Sequence, residues 1–198
     1  MSVYFSYFPL IEYNNVSVRD VTRRTNLIES SLSNPYVFLP YSVKEGEKPE
    51  DIAYNYYGTV DATWLVLMAN NITDPYTQWP MNSEVFSEYI ISKYAEASGT
   101  TGYDVVSWTQ NETIIDNIVY YYKDVNSGLQ IKVAPNTFPY TYNQYTQEIT
   151  GRDVVGGYYP MRIYDYELAI NDAKREINVV EQQYYSQINN EFRKLIVK

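Results

Sequence analysis

A chain of 198 residues suffices for one domain of ordinary size, or for one small domain with elaborated ends. It holds no histidine and no cysteine, which removes the Ser-His-Asp and Cys-His arrangements of nucleophilic catalysis, a disulfide framework and a thiolate metal site. With 15 basic against 24 acidic residues the net charge is −9, and no Lys/Arg block forms a stripe, so neither nucleic acid nor an anionic membrane is an expected partner.

The composition favours contact surfaces. Tyr is 24 of the 198 residues, against 6 Phe and 3 Trp. An apolar ring with a polar tip suits a surface buried against a partner better than a dry core. A proteome biased toward Tyr and Asn would give the same count. No run approaches the ~18 apolar residues of a membrane span, and no N-terminal stretch joins a basic region to an apolar one, so the expectation is a soluble chain without an export signal.

In chain order, residues 1–39 read as an extended arm. Met1–Tyr13 is aromatic and broken by Pro9, and Val18–Val21 with Leu27, Ile28 and Leu32 suggests one weak helix. Ordering such an arm costs roughly 1–2 kcal/mol per residue, which its few apolar residues offset only when buried against the chain or a partner.

Residues 40–97 carry the strongest local pattern. Tyr41 and Val43 alternate as a short strand, Gly46 relaxes a turn, and Pro49 stands where a helix can begin without losing a backbone bond. Ile52, Ala53, Tyr56 and Tyr57 recur at helical spacing, Gly58 fits a left-handed cap, and Trp64, Leu67 and Met68 form the next apolar face before Asn70-Asn71. The predicted module core is Tyr41, Val43, Ile52, Ala53, Tyr57, Gly58, Trp64 and Leu67. The stretch resembles a LysM module, a small βααβ fold best known for binding N-acetylglucosamine polymers. Such modules close on a Gly-x-x-Leu-x-Ile-Pro strand; here the stretch is Asp74–Met81, with two prolines and no such Gly. Trp79, in a turn, either staples the module to the next helix or meets a partner. That helix is expected from about Asn82 to Ala97, capped by Asn82 or Ser83.

Residues 98–160 read as a β-rich middle region. Asp104–Thr109 and Ile114–Tyr122 are rich in β-branched and aromatic residues, Trp108 being a strand residue on this reading. A turn at Asn126–Gly128 leads to a return strand, Leu129–Val133. Pro135–Tyr145 and Gly151–Pro160 have no period. Residues 161–198 close the chain as helix, strand and helix: Tyr164–Ala173, an alternating Arg175–Val180, and Gln182–Val197. A continuous helix over 164–197 is the rival reading.

Catalytic chemistry is left to carboxylates. Glu45, Glu47, Glu50 and Asp51 gather at a helix start, where the dipole favours them; a pair there is also the minimum for glycoside cleavage. Asp104, Asp116 and Asp124 lack the spacing of a calcium loop. No catalytic residue, metal ligand or cofactor is assigned.

Three segments together carry a second resemblance. YFPLIEYNN at the start, WLVLMANNITDPYTQWPMNSEVFSEYIISKY in the module, and YELAINDAKREINVVEQQYYSQINNEFRKLI at the end occur in this order in the small baseplate wedge subunit family of contractile-tailed, T4-type bacteriophages. The closing motif is carried by Asn171, Lys174, Arg175, Ile177 and Val179. The resemblance implies a virion structural protein, assembled in the host cytoplasm into the tail baseplate. It clamps neighbouring wedge proteins and supports ring assembly. The implied partners are the scaffold-forming wedge subunit and the lysozyme-like sheath-initiating subunit, with the LysM-like module a packing unit and glycan not expected. The alternative is a peptidoglycan-binding or peptidoglycan-cleaving tail protein. The expected fold is α+β: a LysM-like module with an N-terminal arm, a β-rich middle and a C-terminal helical segment.

Partner contacts are expected from both ends: Tyr4, Phe5, Phe8, Pro9, Ile11 and Tyr13 in the arm, then Trp79, Arg175, Ile177 and Val179. An extended 175–180 offers unpaired backbone groups. It is expected to join a sheet with Ile177 and Val179 on an apolar core and Arg175 paired to an acid near the turn. The sheet belongs either to the middle region or to another wedge protein.

Overall fold

The computed structural model describes residues 3–22, 36–112, 114, 116–125, 129–135 and 158–197. Its α+β elements run Val3–Ser6 (α1), Leu10–Tyr13 (β1), Val16–Arg19 (β2), Phe38–Ser42 (β3), Pro49–Tyr57 (α2), a 3-10 turn at Val60–Ala62, Thr63–Ala69 (α3) and Pro75–Gln78 (α4). Then follow Ser83–Ser98 (α5), Tyr103–Gln110 (α6), Ile118–Val125 (β4), Leu129–Val133 (β5), Tyr159–Arg162 (β6), Ile163–Ala173 (α7), Glu176–Val180 (β7) and Gln182–Val197 (α8). Two compact units form: Met1–Pro80 with Lys174–Lys198, and Met81–Ala173. The second is thus inserted in the sequence of the first.

The first unit is built around a two-stranded antiparallel sheet in which β3 pairs with β7, from Phe38↔Val180 to Ser42↔Glu176. The alternation of 175–180 is therefore a strand, and the continuous helix over 164–197 does not form. Its sheet partner is neither the middle region nor another protein but β3 of the same chain. Ile177 and Val179 face the core, and Arg175 pairs with Glu45 at 2.5 Å, as the pattern predicts. Pro40 sits opposite Asn178. There the backbone groups of Asn178 point away from β3, toward the Asn70 side chain, so the N–H that proline lacks is not needed. Asp74–Met81 supplies no strand to this sheet. Asp74 caps the short α4 by accepting from the Tyr76 N–H at 3.1 Å.

Helix α2 begins at Pro49, and the Asp51 carboxylate accepts from the Lys48 N–H at 3.0 Å. It ends at Gly58, left-handed at φ 76°, whose N–H reaches the Tyr54 carbonyl. Gly58 is an exposed cap, not a core residue. Val43, Ile52, Ala53, Tyr57 and Trp64 are buried as expected, with Tyr41 and Leu67 half-buried against them. The same core takes residues from both ends of the chain. Trp64 stacks on Phe192 of α8 at 4.2 Å and 21°, and Tyr4 stacks on the same Phe192 at 5.4 Å and 22°. The Tyr57 hydroxyl donates to the Val180 carbonyl at 2.7 Å, and burial raises its pKa.

The second unit places α5, α6 and α7 with a three-stranded antiparallel sheet of order β5-β4-β6. The β4–β5 pairing is the expected hairpin, its turn at Asn126–Gly128 lying outside the described residues. Tyr159–Arg162 is a strand where no period was legible. The expected strand at Asp104–Thr109 is instead helix α6. Gly102, at φ 61°, starts it, and Val105 and Thr109, one turn apart, are both buried. Burial of one face outweighs the few tenths of a kcal/mol that each β-branched residue costs a helix. Asn117 then donates to the Trp108 and Asn111 carbonyls at 2.7 and 2.8 Å, satisfying the helix end.

Across this unit α5 and α7 are joined through Glu167. The buried carboxylate accepts from Lys93 at 2.8 Å, Tyr94 at 2.5 Å and Tyr89 at 3.0 Å. Burial pushes its pKa up, but the three hydrogen bonds outweigh burial and hold it below the ordinary carboxyl range. Asn171 closes the unit by gripping Met81: its Oδ1 accepts from the Met81 N–H at 2.8 Å and its Nδ2 donates to the Met81 carbonyl at 2.9 Å.

Candidate partner-binding surface

Over residues 3–22 the N-terminal arm is not a single extended segment. After the single turn of α1 it folds into a hairpin with the register Leu10↔Arg19, Ile11↔Val18, Glu12↔Ser17 and Tyr13↔Val16. The loop is two residues, Asn14 and Asn15, at φ 50° and 60°. Positive φ at both positions is the signature of a type I′ turn, whose twist matches that of the strands, and Asn tolerates the left-handed region. Val18 and Arg19, expected in a weak helix, belong to β2; Leu27, Ile28 and Leu32 lie outside the described residues.

Opposed residues of a hairpin share a face. Ile11, Val18, Tyr13 and Val16 therefore form one wholly apolar face, while Leu10, Arg19, Glu12 and Ser17 form the other. The apolar face is not packed: Ile11 is 41% exposed, Tyr13 66%, Val16 59% and Val18 36%. Its base is fixed. Arg19 Nη1 donates to the Phe8 carbonyl at 2.6 Å, and the Asp20 N–H to the Pro9 carbonyl at 2.9 Å. Phe8 itself is 3% exposed and lies in the core of the first unit. A hairpin anchored at one end, with an apolar face in water, is marginal alone and gains most from a covering surface.

The residues expected to meet partners thus divide. Ile11 and Tyr13 stand on the open face, Phe5 is half-exposed and Pro9 is partly covered. Phe8 is buried and Tyr4 partly buried by the chain's own aromatics, so the expectation that they face a partner is corrected. The same holds for Ile177 and Val179 in β7 and for Trp79, which is buried and donates from Nε1 to the Glu47 carbonyl at 2.8 Å. Arg175 is engaged within the unit by Glu45 and the Val43 carbonyl. Val16 and Val18 were missed. The signal was present: a two-residue Asn-Asn between alternating LIEY and VSVR.

The carboxylates at the start of α2 are used locally. Glu47 accepts from the Tyr41 hydroxyl at 2.8 Å and the Lys44 N–H at 3.0 Å, while Glu45 pairs with Arg175. Among the described residues no group of three His, Cys, Asp or Glu side chains is arranged to hold a metal ion.

An inserted α+β unit, a core closed by both chain ends and a solvent-facing apolar hairpin define a protein built to be packed into an assembly. Comparison with known proteins agrees: residues 3–195 match the model of the base plate wedge protein 53 family, and the chain belongs to that family. It is also similar to baseplate wedge protein gp53 of Enterobacteria phage T4, with 21% identity over 204 residues, spanning 98% of this chain and 96% of that protein. The chain is thus a phage virion component of the tail baseplate.

Proposed function

We propose that this wedge protein is a non-catalytic clamp. It holds neighbouring wedge proteins together and supports the joining of wedges into a ring. The observation that carries the reading is the exposed apolar hairpin face of Ile11, Tyr13, Val16 and Val18, anchored at its base by the bonds of Arg19 and Asp20 to Phe8 and Pro9. The partners on this reading are the scaffold-forming wedge subunit and the lysozyme-like sheath-initiating subunit. The order β3, α2, α3 and, after the insertion, β7 supports a LysM-like packing module whose closing strand comes from the far side of the inserted unit.

The test replaces Ile11 and Tyr13 with Ser in the full chain and co-expresses it with the other wedge proteins. The melting temperature should stay within about 2 °C of the parent, since both side chains already face water. Co-purification with the wedge proteins should be lost. A variant that still enters the wedge at parental yield overturns the reading. Binding to purified cell wall that chitin fragments compete away would favour the peptidoglycan alternative.

A further inference from the structure

The second unit has a cavity of about 720 Å³ whose walls differ in kind from the hairpin. It lies at the C-terminal end of α6, the strands β4 and β6, and the start of α7. Among the described residues three carboxylates line it, Glu112, Asp124 and Asp165, together with the rings of Tyr122, Tyr159 and Tyr164. Tyr122 and Tyr159 are register partners, their rings 5.9 Å apart and inclined at 41°. The three carboxylate residues are exposed. Burial chiefly raises the Tyr122 hydroxyl, and the charges of Asp124 and Asp165, which line the same cavity, raise it further.

Among the described residues the one cation in the lining is Arg162, and it is buried and engaged on the protein side. Its guanidinium donates to the carbonyls of Asn111 at 2.8 Å, Glu112 at 2.8 Å and Ile114 at 3.1 Å, and to Asn117 Oδ1 at 2.7 Å. Those acceptors are neutral. Three carboxylates against one guanidinium leave the described walls with an excess of negative charge. The acids are not grouped for a metal ion; they are distributed around a space bounded by tyrosine faces.

We propose that this cavity receives an arginine-bearing segment of a neighbouring baseplate protein. A guanidinium pairs with a carboxylate through two parallel hydrogen bonds and stacks on an aromatic face, so it uses both features of the lining at once. A lysine uses the charge with less of the geometry. A neutral sugar stacks on the rings but leaves the charge excess uncompensated.

The test is a titration of the ¹⁵N-labelled full chain at low salt with an Arg-Gly-Arg-Gly-Arg peptide, with its citrulline counterpart and with chitotriose. The arginine peptide should shift the amides of Tyr122, Asp124 and Asp165, and the citrulline peptide should not. Asp124→Asn with Asp165→Asn is isosteric at exposed positions, and its amide spectrum elsewhere should be unchanged. That double variant should bind the arginine peptide at least about tenfold more weakly, the expected loss for removing charge-assisted pairs. Tyr13→Ser, on the hairpin, should bind it as the parent does, which separates this result from the hairpin's. Absence of cavity shifts, equal shifts with citrulline, equal binding by the double variant, or a cavity response to chitotriose alone would each overturn the proposal.

Discussion

Asn70 holds Asn178 by both of its backbone groups. Asn70 Oδ1 accepts from the Asn178 N–H at 2.8 Å, and Nδ2 donates to the Asn178 carbonyl at 2.8 Å and to the Val66 carbonyl at 2.8 Å. The carboxamide acts as one residue of a third strand along the outer side of β7. It satisfies the groups of Asn178 that point away from Pro40, its register partner in β3.

Asn70→Ala should therefore cost about 0.5–1.5 kcal/mol, the net range for hydrogen bonds whose backbone partners at the exposed Asn178 can turn to water. Asn70→Asp should not rescue it. The carboxylate still accepts from the Asn178 N–H, but it faces the Val66 and Asn178 carbonyls without a donor. Denaturant unfolding of the three proteins checks the order; equal midpoints for the parent and Asn70→Ala would remove the clamp from the account.

Trp64 joins the module to the C-terminal helix. Its ring is buried and stacks on Phe192 at 4.2 Å. Trp64→Ala should cost about 3–5 kcal/mol. In a double-mutant cycle with Phe192→Ala, the pair should show a coupling of about 0.5–1.5 kcal/mol. Strictly additive losses would mean that each ring is held by other neighbours.

The buried Phe8 revises what truncation should do. An arm that only meets partners can be removed without harm to the module. Here Phe8 lies in the core, and Tyr4 stacks on Phe192. Phe8→Ala should lower stability by about 3–5 kcal/mol, and deletion of residues 1–8 by more. Ile11→Ser on the hairpin should leave stability nearly unchanged. Thermal melts of the three variants separate anchor from open face.

These contrasts show what the sequence could reveal. The alternation of Glu176–Val180 identified a strand, and the acid pairing of Arg175 followed from its place at the strand's start. The partner strand β3 was not legible, because pairing across an intervening unit leaves no local mark. Helix periodicity found α2, α3, α5, α7 and α8, whose apolar faces are clear. It failed at α6, where β-branched residues imitate a strand and only burial of Val105 and Thr109 decides. In the hairpin the alternation and the Asn14-Asn15 turn were present, but Pro9 and the aromatic run before them read as an extended arm. The Asn70 and Asn171 clamps were invisible, since a carboxamide's backbone partner is set by tertiary structure alone.

The Glu167 cluster gives the second unit a pH dependence at both ends. The folded carboxyl sits below its ordinary value, since the hydrogen bonds from Lys93, Tyr94 and Tyr89 outweigh burial. Its contribution is thus present above the unfolded value of about 4.3 and is lost as pH falls through the folded value. On the alkaline side, burial and Glu167 raise Tyr94 to about 12, and Glu167 raises Lys93 against the opposing effect of burial. Both contributions are full below about pH 10 and disappear as pH rises through the folded values. Glu167→Gln should lower stability at neutral pH and flatten both limbs. Unfolding followed from pH 3 to 11 checks this, and an unchanged acid limb in the variant would assign that limb to other carboxylates.

Arg162 tests how far charge alone explains a buried cation. Its hydrogen bonds reach four acceptors on the segment between α6 and β4, so it serves as the internal scaffold of that segment. Burial lowers its pKa, against the opposing charges of Glu112, Tyr121 and Asp165. Lysine keeps the charge but presents a single nitrogen, which cannot span acceptors arranged for a planar fork. Arg162→Lys should therefore lose most of what Arg162→Ala loses, roughly 2–4 kcal/mol for a set of part-buried acceptors left unmatched. Amide exchange at Ile118 and Trp108 should accelerate in both variants. Near-parental stability and exchange in Arg162→Lys would show that the site requires only a positive charge.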